Sequence, residues 1–539
     1  MSQGEQMLKR LSKLFRIQKR HEEVQKTTPV RLTYPDQTLL LNKSLDANRS
    51  DLKKMFNSSD DLVFREFYFG VGKRIRALIV FIDGISDKKL ILDSVVRSLM
   101  VDIHIIDTEV NFAESKNHFD EVKKQVLTIV EATEIHSFND AVESVINGNA
   151  CLLINGSNSG LSIGAKGGEK RAIDQASSEI VTRGSHEAFV EALRTNTSML
   201  RRIIKNPDLV FERFVLGKRT HTDICIAYIK GIANEKIIEE VRKRLNRIDI
   251  DSVLESGYVE QLIEDSSFSP FATVGNSERP DKVASKLLEG RIAIICDGTP
   301  VVLTVPYLLI EVLQVPDDYY SRLFNVNIMR IVRAFSLAVT LTLPPLYVAI
   351  TTFHQEMIPS ILLIKLTAAR EGVPFPVLLE ALMSEMIFLL IRESGIRMPR
   401  ATGSAVTIVG TLVMGDAAVT AGLISAPMVI ITALSGITGL MLPALYNALV
   451  IFRFILILLG GSFGLYGVVI GLLCILAHIC SLRSFGTPFL APLAPVVLSD
   501  LKDTLIRFPL WMMKQRPQST TWKKSNRQTE IQKPRPHRK

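Results

Sequence analysis

The chain has 539 residues, of which 64 are Lys or Arg and 55 are Asp or Glu, and its formal net charge is +9. Several domains are expected at this length, because one domain takes roughly 150 residues. The five cysteines form neither a CxxC motif nor a Cys/His cluster, so neither a zinc site nor a disulfide framework is indicated.

Residues 1–60 are predicted to be a polar N-terminal extension. Its first 26 positions are polar and basic, and no apolar segment of the kind found in secretory signals follows them. The soluble part of the chain is therefore expected to stay in the cytoplasm.

Two tandem α/β subdomains are predicted next, over residues 61–168 and 169–320. In the first, two short apolar runs rich in branched residues end at turns that contain Gly84 and Gly156. Turns at Gly231 and Gly298 close matching runs in the second subdomain, in the same order. Two matches in one order favour a duplication over chance similarity.

No catalytic or cofactor site is predicted in these subdomains. The Gly- and Ser-rich segment 156–168 invites comparison with a phosphate-binding loop, but it lacks the GxxxxGK[ST] spacing. A flexible linker is the favoured interpretation. Without a catalytic triad, a paired-acid site or a metal motif, the chain is predicted not to be an enzyme and to need no cofactor.

An all-α, polytopic membrane bundle is predicted over residues 321–485. Residues 417–452 contain no charged side chain, and a second uncharged run, 454–482, follows Arg453. About 20 apolar residues in a helix cross a bilayer core roughly 30 Å thick, so these runs are too long to be core helices of a soluble protein. Four spans are predicted, at 328–352, 401–424, 427–452 and 454–481.

Between the first two spans, residues 373–393 carry Glu380, Glu385 and Arg392 among bulky apolar residues. They form either an interfacial or re-entrant amphipathic helix or a polar-lined fifth span. Charge placement favours the interfacial helix, because four spans keep both termini on the cytoplasmic side, whereas a fifth span would move the basic tail outside.

Residues 486–539 are predicted to be a basic cytoplasmic tail. From Arg483 to the end, the chain has twelve Lys or Arg against three acids. Such a tail beside membrane spans is expected on the cytoplasmic side, where it can contact anionic lipid. Nucleic acid is the less favoured explanation of the charge, and no nucleic-acid partner is predicted.

The span 401–424 carries small and hydroxyl residues along one face. They are Thr407, Thr411, Gly415 and Ala418, with Asp416 beside them. A carboxylate in hydrocarbon is costly, so Asp416 should face protein or water. Either this face lines a water-exposed pathway, or it packs closely against another helix with Asp416 paired to an Arg. The sequence leaves both interpretations open.

In the last span, glycines repeat at steps of four, three and four residues. They are Gly460, Gly464, Gly467 and Gly471. The two overlapping GxxxG units predict close helix packing.

Six motifs in fixed order carry a resemblance to a known family. They are EGRIAIICDGTP at 289–300, PDDYY at 316–320, TTFHQEMIP at 351–359, AREGVPFP at 369–376, SGIRMP at 394–399 and CSLRSFG at 480–486. Through them, roughly residues 64–495 resemble the A-subunit family of GerA-type spore germinant receptors. The motif residues singled out as family positions are His354, Gln355, Glu356, Arg370, Glu371, Gly372 and Pro374.

The resemblance implies a multi-pass nutrient receptor subunit in the spore inner membrane. A-subunits of this family act with a transporter-like B-subunit, which mainly senses the small-molecule germinant, and with a lipoprotein C-subunit. The family also implies a homo-oligomer that forms a ligand-gated ion channel. In that scheme the face containing Thr411 would line the pore, and Glu380 and Glu385 would form a cation-attracting ring at its outer mouth. A secondary transporter and a non-conducting signalling scaffold are the alternatives.

Overall fold

The computed structural model describes residues 39–70, 75–102, 132–167, 181–398, 413–521 and 526–528, together with positions 119, 122, 123, 179, 408 and 410. The chain divides into two compact units. The first contains the described residues up to Lys166, apart from the short segments Met55–Leu62 and Asp83–Ile85, which belong to the second. The second unit therefore holds both the other α/β subdomain and the helical part.

The first unit is built on a five-stranded sheet with the order β1-β2-β4-β5-β3. Its strands are β1 Leu62–Phe69, β2 Ile75–Ile82, β3 Ala132–Ile135, β4 Ala150–Ile154 and β5 Gly160–Ile163. Its helices are α1 Leu45–Met55 and α2 Phe138–Ile146, with a helical segment at Lys88–Leu90 that continues as π-helical turns at Ile91–Val96 and Ser98–Asp102. Helix α2 begins where the Ser137 side chain accepts a hydrogen bond from the Asp140 backbone N–H at 3.2 Å. This N-cap satisfies one of the helix's free donors.

The second sheet repeats the strand order of the first, as β6-β7-β9-β10-β8. Its strands are β6 Leu209–Leu216, β7 Thr222–Ile229, β8 Gly275–Ser277, β9 Ile292–Cys296 and β10 Val302–Val305. The helices of this subdomain are α3 Leu193–Ile203, α4 Glu235–Arg247, α5 Ser256–Ile263 and α6 Pro280–Leu288. Each strand of this sheet pairs with its neighbours in antiparallel orientation.

The turns aligned from sequence have matching backbone geometry in the two sheets. Gly84 and Gly231 have φ of +87° and +80°, and Gly156 and Gly298 have φ of +88° and +87°. Glycine suits this left-handed conformation because it has no Cβ. Matching strand order and matching turns are what a duplication predicts.

The helical part begins after a 3₁₀ turn at Leu309–Leu313. Its helices are α7 Asp317–Tyr320, α8 Leu323–Phe353, α9 Ser360–Arg370, α10 Val377–Arg397, α11 Ala426–Leu440 and α12 Tyr446–Ser481, with shorter turns at Gln355–Met357, Val413–Ala417 and Ala418–Thr420. Among the described residues, α8 and α12 are long and apolar enough to cross a membrane. Only 39% and 28% of their apolar windows are buried. Exposure on this scale is typical of lipid contact and not of a soluble core.

The boundary predicted at Arg453 is wrong. The chain leaves helical structure at 441–445, between α11 and α12, and Arg453 lies inside α12. Pro443 falls in this break, and proline is poorly tolerated inside a helix. The charge of Arg453 suggests a boundary in the sequence, but an anion from another helix neutralises it within the bundle.

Helix α12 is a hairpin of two antiparallel arms. Gly464 has φ of 62° and ψ of −147°, which interrupts the helix. The rings of Phe452 and His478 lie 6.4 Å apart across the two arms. The predicted glycines lie where the arms approach: added Cβ atoms at Gly467 and Gly471 would come within 2.4 Å of Leu459 and Leu456.

Helix α10 does not have the exposed polar face expected of an interfacial helix. Glu380, Ser384 and Glu385 are each 0% exposed, whereas the apolar Met386 and Leu390 are 50% and 61% exposed. The polar face therefore turns inward, against α8, α11 and α12. The cause is the presence of buried cationic and hydroxyl partners on the neighbouring elements.

The segment 486–539, predicted to be a basic cytoplasmic tail, is packed within the second unit as far as residue 521. It contains β12 Thr487–Pro488, which pairs with β11 Arg483–Ser484 just before the segment, and the turns Asp500–Lys502 and Leu510–Met512. Phe489 is fully buried, and Thr521 forms a β-bridge with Ala233. Apolar and hydroxyl residues between the basic positions allow this packing.

Candidate functional site: buried charges in the helical bundle

The first element of the site is an ion pair between α10 and α12. Arg453 Nη2 lies 2.7 Å from Glu385 Oε2, and the side chains are 0% and 1% exposed. The contact lacks hydrogen-bond geometry at these two atoms. Ser435 on α11 completes the group, because its hydroxyl accepts from Arg453 Nη1 at 3.1 Å and donates to Glu385 Oε1 at 3.3 Å.

The second element lies near the start of α10. Glu380 Oε1 accepts hydrogen bonds from the backbone N–H of Ser425 at 2.7 Å and from the Ser425 hydroxyl. Arg370, at the end of α9, places Nε 3.4 Å from Glu380 Oε2, again without hydrogen-bond geometry. The carboxylate therefore ties the end of α9 and the start of α11 to α10.

These charges are costly to bury and are held by few groups. A buried ion pair offsets the desolvation of its ions only with good geometry and additional hydrogen bonds. Ionisable residues inside an apolar bundle are rare and are functional-site candidates by default. The arrangement can couple movements of α9, α10, α11 and α12, because moving one partner leaves a buried charge behind.

Arg392, the third charge predicted on this helix, has a different neighbour. Its guanidinium carbon lies 3.5 Å from the ring centroid of Tyr446, the first residue of α12. This is a cation–π contact between α10 and the start of α12. Neither Glu380 nor Glu385 is placed at an open mouth.

The predicted pore face is described only in part. Thr407 and Thr411 lie outside the described residues. Gly415 and Asp416 are exposed, and a Cβ added at Gly415 would meet no atom within 4 Å. Ala418 is 8% exposed. At Gly415, therefore, no described residue supplies a close helix contact.

The family positions gather at two tight contacts. A Cβ at Gly464 would lie 2.8 Å from His354 Cε1, and one at Gly422 would lie 2.6 Å from the Gly372 carbonyl oxygen. Gln355 donates to the Thr351 carbonyl at 2.9 Å. The remaining family positions, Glu356, Glu371 and Pro374, are exposed.

A charged cluster at the start of α8 was not predicted from the sequence. Asp318 accepts from Arg330 Nε at 2.9 Å and from Arg333 Nη2 at 2.8 Å, and Arg330 also donates to Asp503 at 2.9 Å. The Tyr319 hydroxyl donates to Asp503 at 2.7 Å. The family motif PDDYY at 316–320 contains Asp318 and could have indicated a role for it. No motif near Asp503 indicated that this residue takes part in the cluster.

The electrostatics of this cluster follow from burial and pairing. Burial opposes ionisation of Asp318, yet hydrogen bonds from Arg333 and Arg330 hold its pKa below the ordinary value. Burial raises the pKa of Asp503, against the influence of Arg330. Burial also raises the pKa of the Tyr319 phenol well above its ordinary value, so this group stays a hydrogen-bond donor.

Comparison with known proteins identifies the family. The GerA model, described as Bacillus/Clostridium GerA spore germination protein, matches residues 50–519. Spore germination protein KA of Bacillus subtilis (strain 168) is 42% identical over 503 residues, which cover 93% of this chain and 91% of that protein. Spore germination protein B1 of the same organism is 36% identical over 479 residues, 88% of this chain and 97% of that protein.

The chain is also similar to a solved structure. The crystal structure of the N-terminal domain of the A subunit of the Bacillus megaterium spore germinant receptor GerK3 is 39% identical, with a TM-score of 0.41, and covers 51% of this chain and 98% of that chain. The family match extends over most of the sequence, including the helical part. The chain belongs to the GerA family of spore germination proteins, as its motifs predicted.

Proposed function

We propose that this chain is the A-subunit of a nutrient germinant receptor in the spore inner membrane and forms an oligomeric, ligand-gated ion channel there. Family membership supports a role in spore germination. The resemblance adds a transporter-like B-subunit, which senses the small nutrient, and a lipoprotein C-subunit. The A-subunit does no covalent chemistry in this proposal.

The observation that carries the channel proposal is the exposure of Asp416. This carboxylate lies in a turn of the apolar helical part, and its side chain and the neighbouring Gly415 are exposed in the single chain. A carboxylate facing lipid would be strongly disfavoured, so it requires water or another subunit beside it. A ring of copies around a water-filled pathway supplies both.

The helix packing supports a multi-crossing topology, with the α/β subdomains and the C-terminal segment on the cytoplasmic side. Among the described residues, the candidate crossings are α8, α10, α11 and the two arms of α12. Gly410 lies against Ile391 of α10, and Gly422 lies against Gly372, which precedes α10. In this proposal the total number of crossings is even, because both termini then stay on one side, as the basic C-terminal residues require.

The channel is tested at the exposed face. Spores carrying Gly415→Leu or Asp416→Leu should lose most nutrient-triggered potassium release while the amount of the subunit in the inner membrane stays normal. Gly415→Ala, which adds one methyl group that meets none of the described residues, is the matched control and should behave as wild type. Normal potassium release from both bulky variants would remove this face from the pathway.

A secondary transporter and a non-conducting signalling scaffold are the alternatives to the channel. Flux through the assembled receptor in liposomes separates the candidates. Passive ion flux opened by nutrient supports the channel, gradient-driven uptake supports the transporter, and absence of both supports a non-conducting signalling scaffold.

A further inference from the structure

The C-terminal segment 493–511 exposes many large apolar side chains. They are Leu493, Val496, Leu498, Leu505, Ile506, Phe508 and Leu510, with exposed fractions between 36% and 78%. Soluble proteins rarely concentrate so many exposed apolar side chains in one short segment, and exposed apolar patches mark contacts with protein or membrane. The basic character of the region gave no indication of this surface.

This segment is fixed to the first turns of α8 by buried polar contacts. Arg330, itself 0% exposed, donates to Asp503 Oδ1 and to the Thr504 carbonyl, both at 2.9 Å. The backbone N–H of Arg507 donates to the Asn327 side chain at 2.8 Å. The segment therefore lies beside the beginning of α8 and is not a free tail.

The beginning of α8 is apolar on its outer surface as well. Phe324, Ile328 and Ile331 are 84%, 58% and 56% exposed. Helix α8 is one of the two helices long and apolar enough to cross a membrane, and its charged Arg330 and Arg333 mark the level at which it would enter. The apolar residues of 493–511 thus continue an apolar surface at the membrane boundary.

The charges around this surface match a lipid headgroup layer. Lys502 and Lys514 are exposed on either side of the stretch 505–510, which is apolar except for the buried Arg507. Trp511 closes the segment, in the turn Leu510–Met512. Tryptophan is enriched at membrane interfaces, and interfacial segments combine an apolar face with flanking Lys or Arg.

We propose that residues 493–511 form an interfacial docking element that lies in the headgroup region of the leaflet where α8 begins. Leu498, Leu505 and Ile506 insert among the upper acyl carbons, while Lys502 and Lys514 contact lipid phosphates. Through Arg330 and Asp318 the element is joined to α7, which follows the second α/β subdomain. The inference rests on the membrane placement of α8 and is independent of channel activity.

Trp511 serves as the reporter. The sequence has two tryptophans, Trp511 and Trp522, so Trp522→Phe leaves one. The full chain carrying this change is placed in nanodiscs of anionic and neutral lipids, brominated either near the headgroup end or near the methyl end of the acyl chain. Bromines near the headgroup should reduce Trp511 emission to about half. Bromines near the methyl end should reduce it by a smaller amount, and iodide in the water should quench it only weakly.

Two further variants test the docking surface. Ile506→Glu should weaken the lipid quenching and increase the iodide quenching. Val215→Glu on β6, where the exposed fraction of 52% matches the 53% of Ile506, should leave both unchanged. Trp511 emission that is equal in brominated and unbrominated lipid would overturn the proposal, whether iodide then quenches it or protein covers it. If Trp511 is quenched by brominated lipid but the receptor conducts no ions, the channel proposal is wrong and the proposal of an interfacial docking element is still supported.

Discussion

Arg453 of α12 and Glu385 of α10 form an ion pair 2.7 Å apart in which neither side chain is more than 1% exposed. Residues 68 positions apart in the chain thus neutralise each other in the middle of the helical bundle. The pair accounts for how α12 continues through a charged residue.

Removing one partner is expected to destabilise the bundle strongly. Glu385→Gln leaves Arg453 buried without its anion, a change that typically costs about 3–5 kcal/mol. Thermal unfolding of the full chain in detergent should show a much lower midpoint. The double variant Glu385→Leu/Arg453→Met should recover most of the loss, since it leaves no buried charge.

The matched control lies on the same helix. Glu393 and Arg397 form a pair one turn apart with side chains 57% and 78% exposed. Glu393→Gln should change stability by about 0.5 kcal/mol or less. Equal effects of Glu385→Gln and Glu393→Gln would contradict the role assigned to the buried pair.

Gly464→Ala is expected to disrupt the hairpin of α12. A Cβ at this position would lie 2.8 Å from His354 Cε1, and the backbone conformation, φ 62° and ψ −147°, is one that only glycine adopts readily. Gly372→Ala, where a Cβ meets nothing within 4 Å, is the control. Thermal unfolding should separate the two by about 2 kcal/mol or more. A Gly464→Ala chain as stable as Gly372→Ala would show that the arms can reverse without glycine.

Asn substitutions of the neighbouring residues Asp317 and Asp318, at the start of the helical part, are expected to lower stability by very different amounts. Asp318→Asn leaves Arg330 and Arg333 without their shared carboxylate and should lower the unfolding midpoint sharply. Asp317 accepts long hydrogen bonds, of 3.2 and 3.3 Å, from the backbone N–H groups of Thr182 and Arg183, and one of 3.3 Å from the Thr182 hydroxyl. Asp317→Asn should cost about 1 kcal/mol. If the two variants unfold alike, the cluster around Asp318 contributes little to stability.

Glu260 is expected to make stability depend on pH. Burial, with Glu264 and Glu255 nearby, raises the pKa of Glu260 from 4.5 to about 7. Between these values the folded chain binds a proton that the unfolded chain releases, so stability falls as the pH rises through this window. Glu260→Gln should flatten the dependence of the unfolding midpoint over this range. Glu239→Gln, an exposed change on α4, should keep the wild-type slope, and parallel profiles for both variants would rule out Glu260 as the cause.

The strand and turn pattern of the two subdomains could be predicted because its signals are local. Apolar runs closed by Gly84, Gly156, Gly231 and Gly298 define the turns, and the structure has these glycines in left-handed conformations. Repetition of local signals was enough to predict two subdomains of one plan.

The partners of buried charges could not be predicted in this way. From sequence alone, Glu385 is predicted to be an exposed acid, because its partner Arg453 is distant in the chain. Asp503 is likewise assigned to a polar tail, because its contact with Arg330 is not visible in the sequence. Charge alone therefore suggests a span boundary at Arg453 and a polar outer face on α10. Both errors come from assigning charges to water when other helices supply their counterions.

The reversal at Gly464 has a consequence for sidedness. Both ends of the hairpin lie in one core cluster, which contains Leu442 and Leu445 before it and Leu482 and Phe489 after it, together with Leu308. Because the two arms of α12 run in opposite directions and both ends lie at one level of the bundle, the residues that follow α12 are in the same compartment as the residues that precede it. A membrane-impermeant reagent will therefore reach the stretches 441–445 and 483–488 from the same face of the vesicle, or will reach neither.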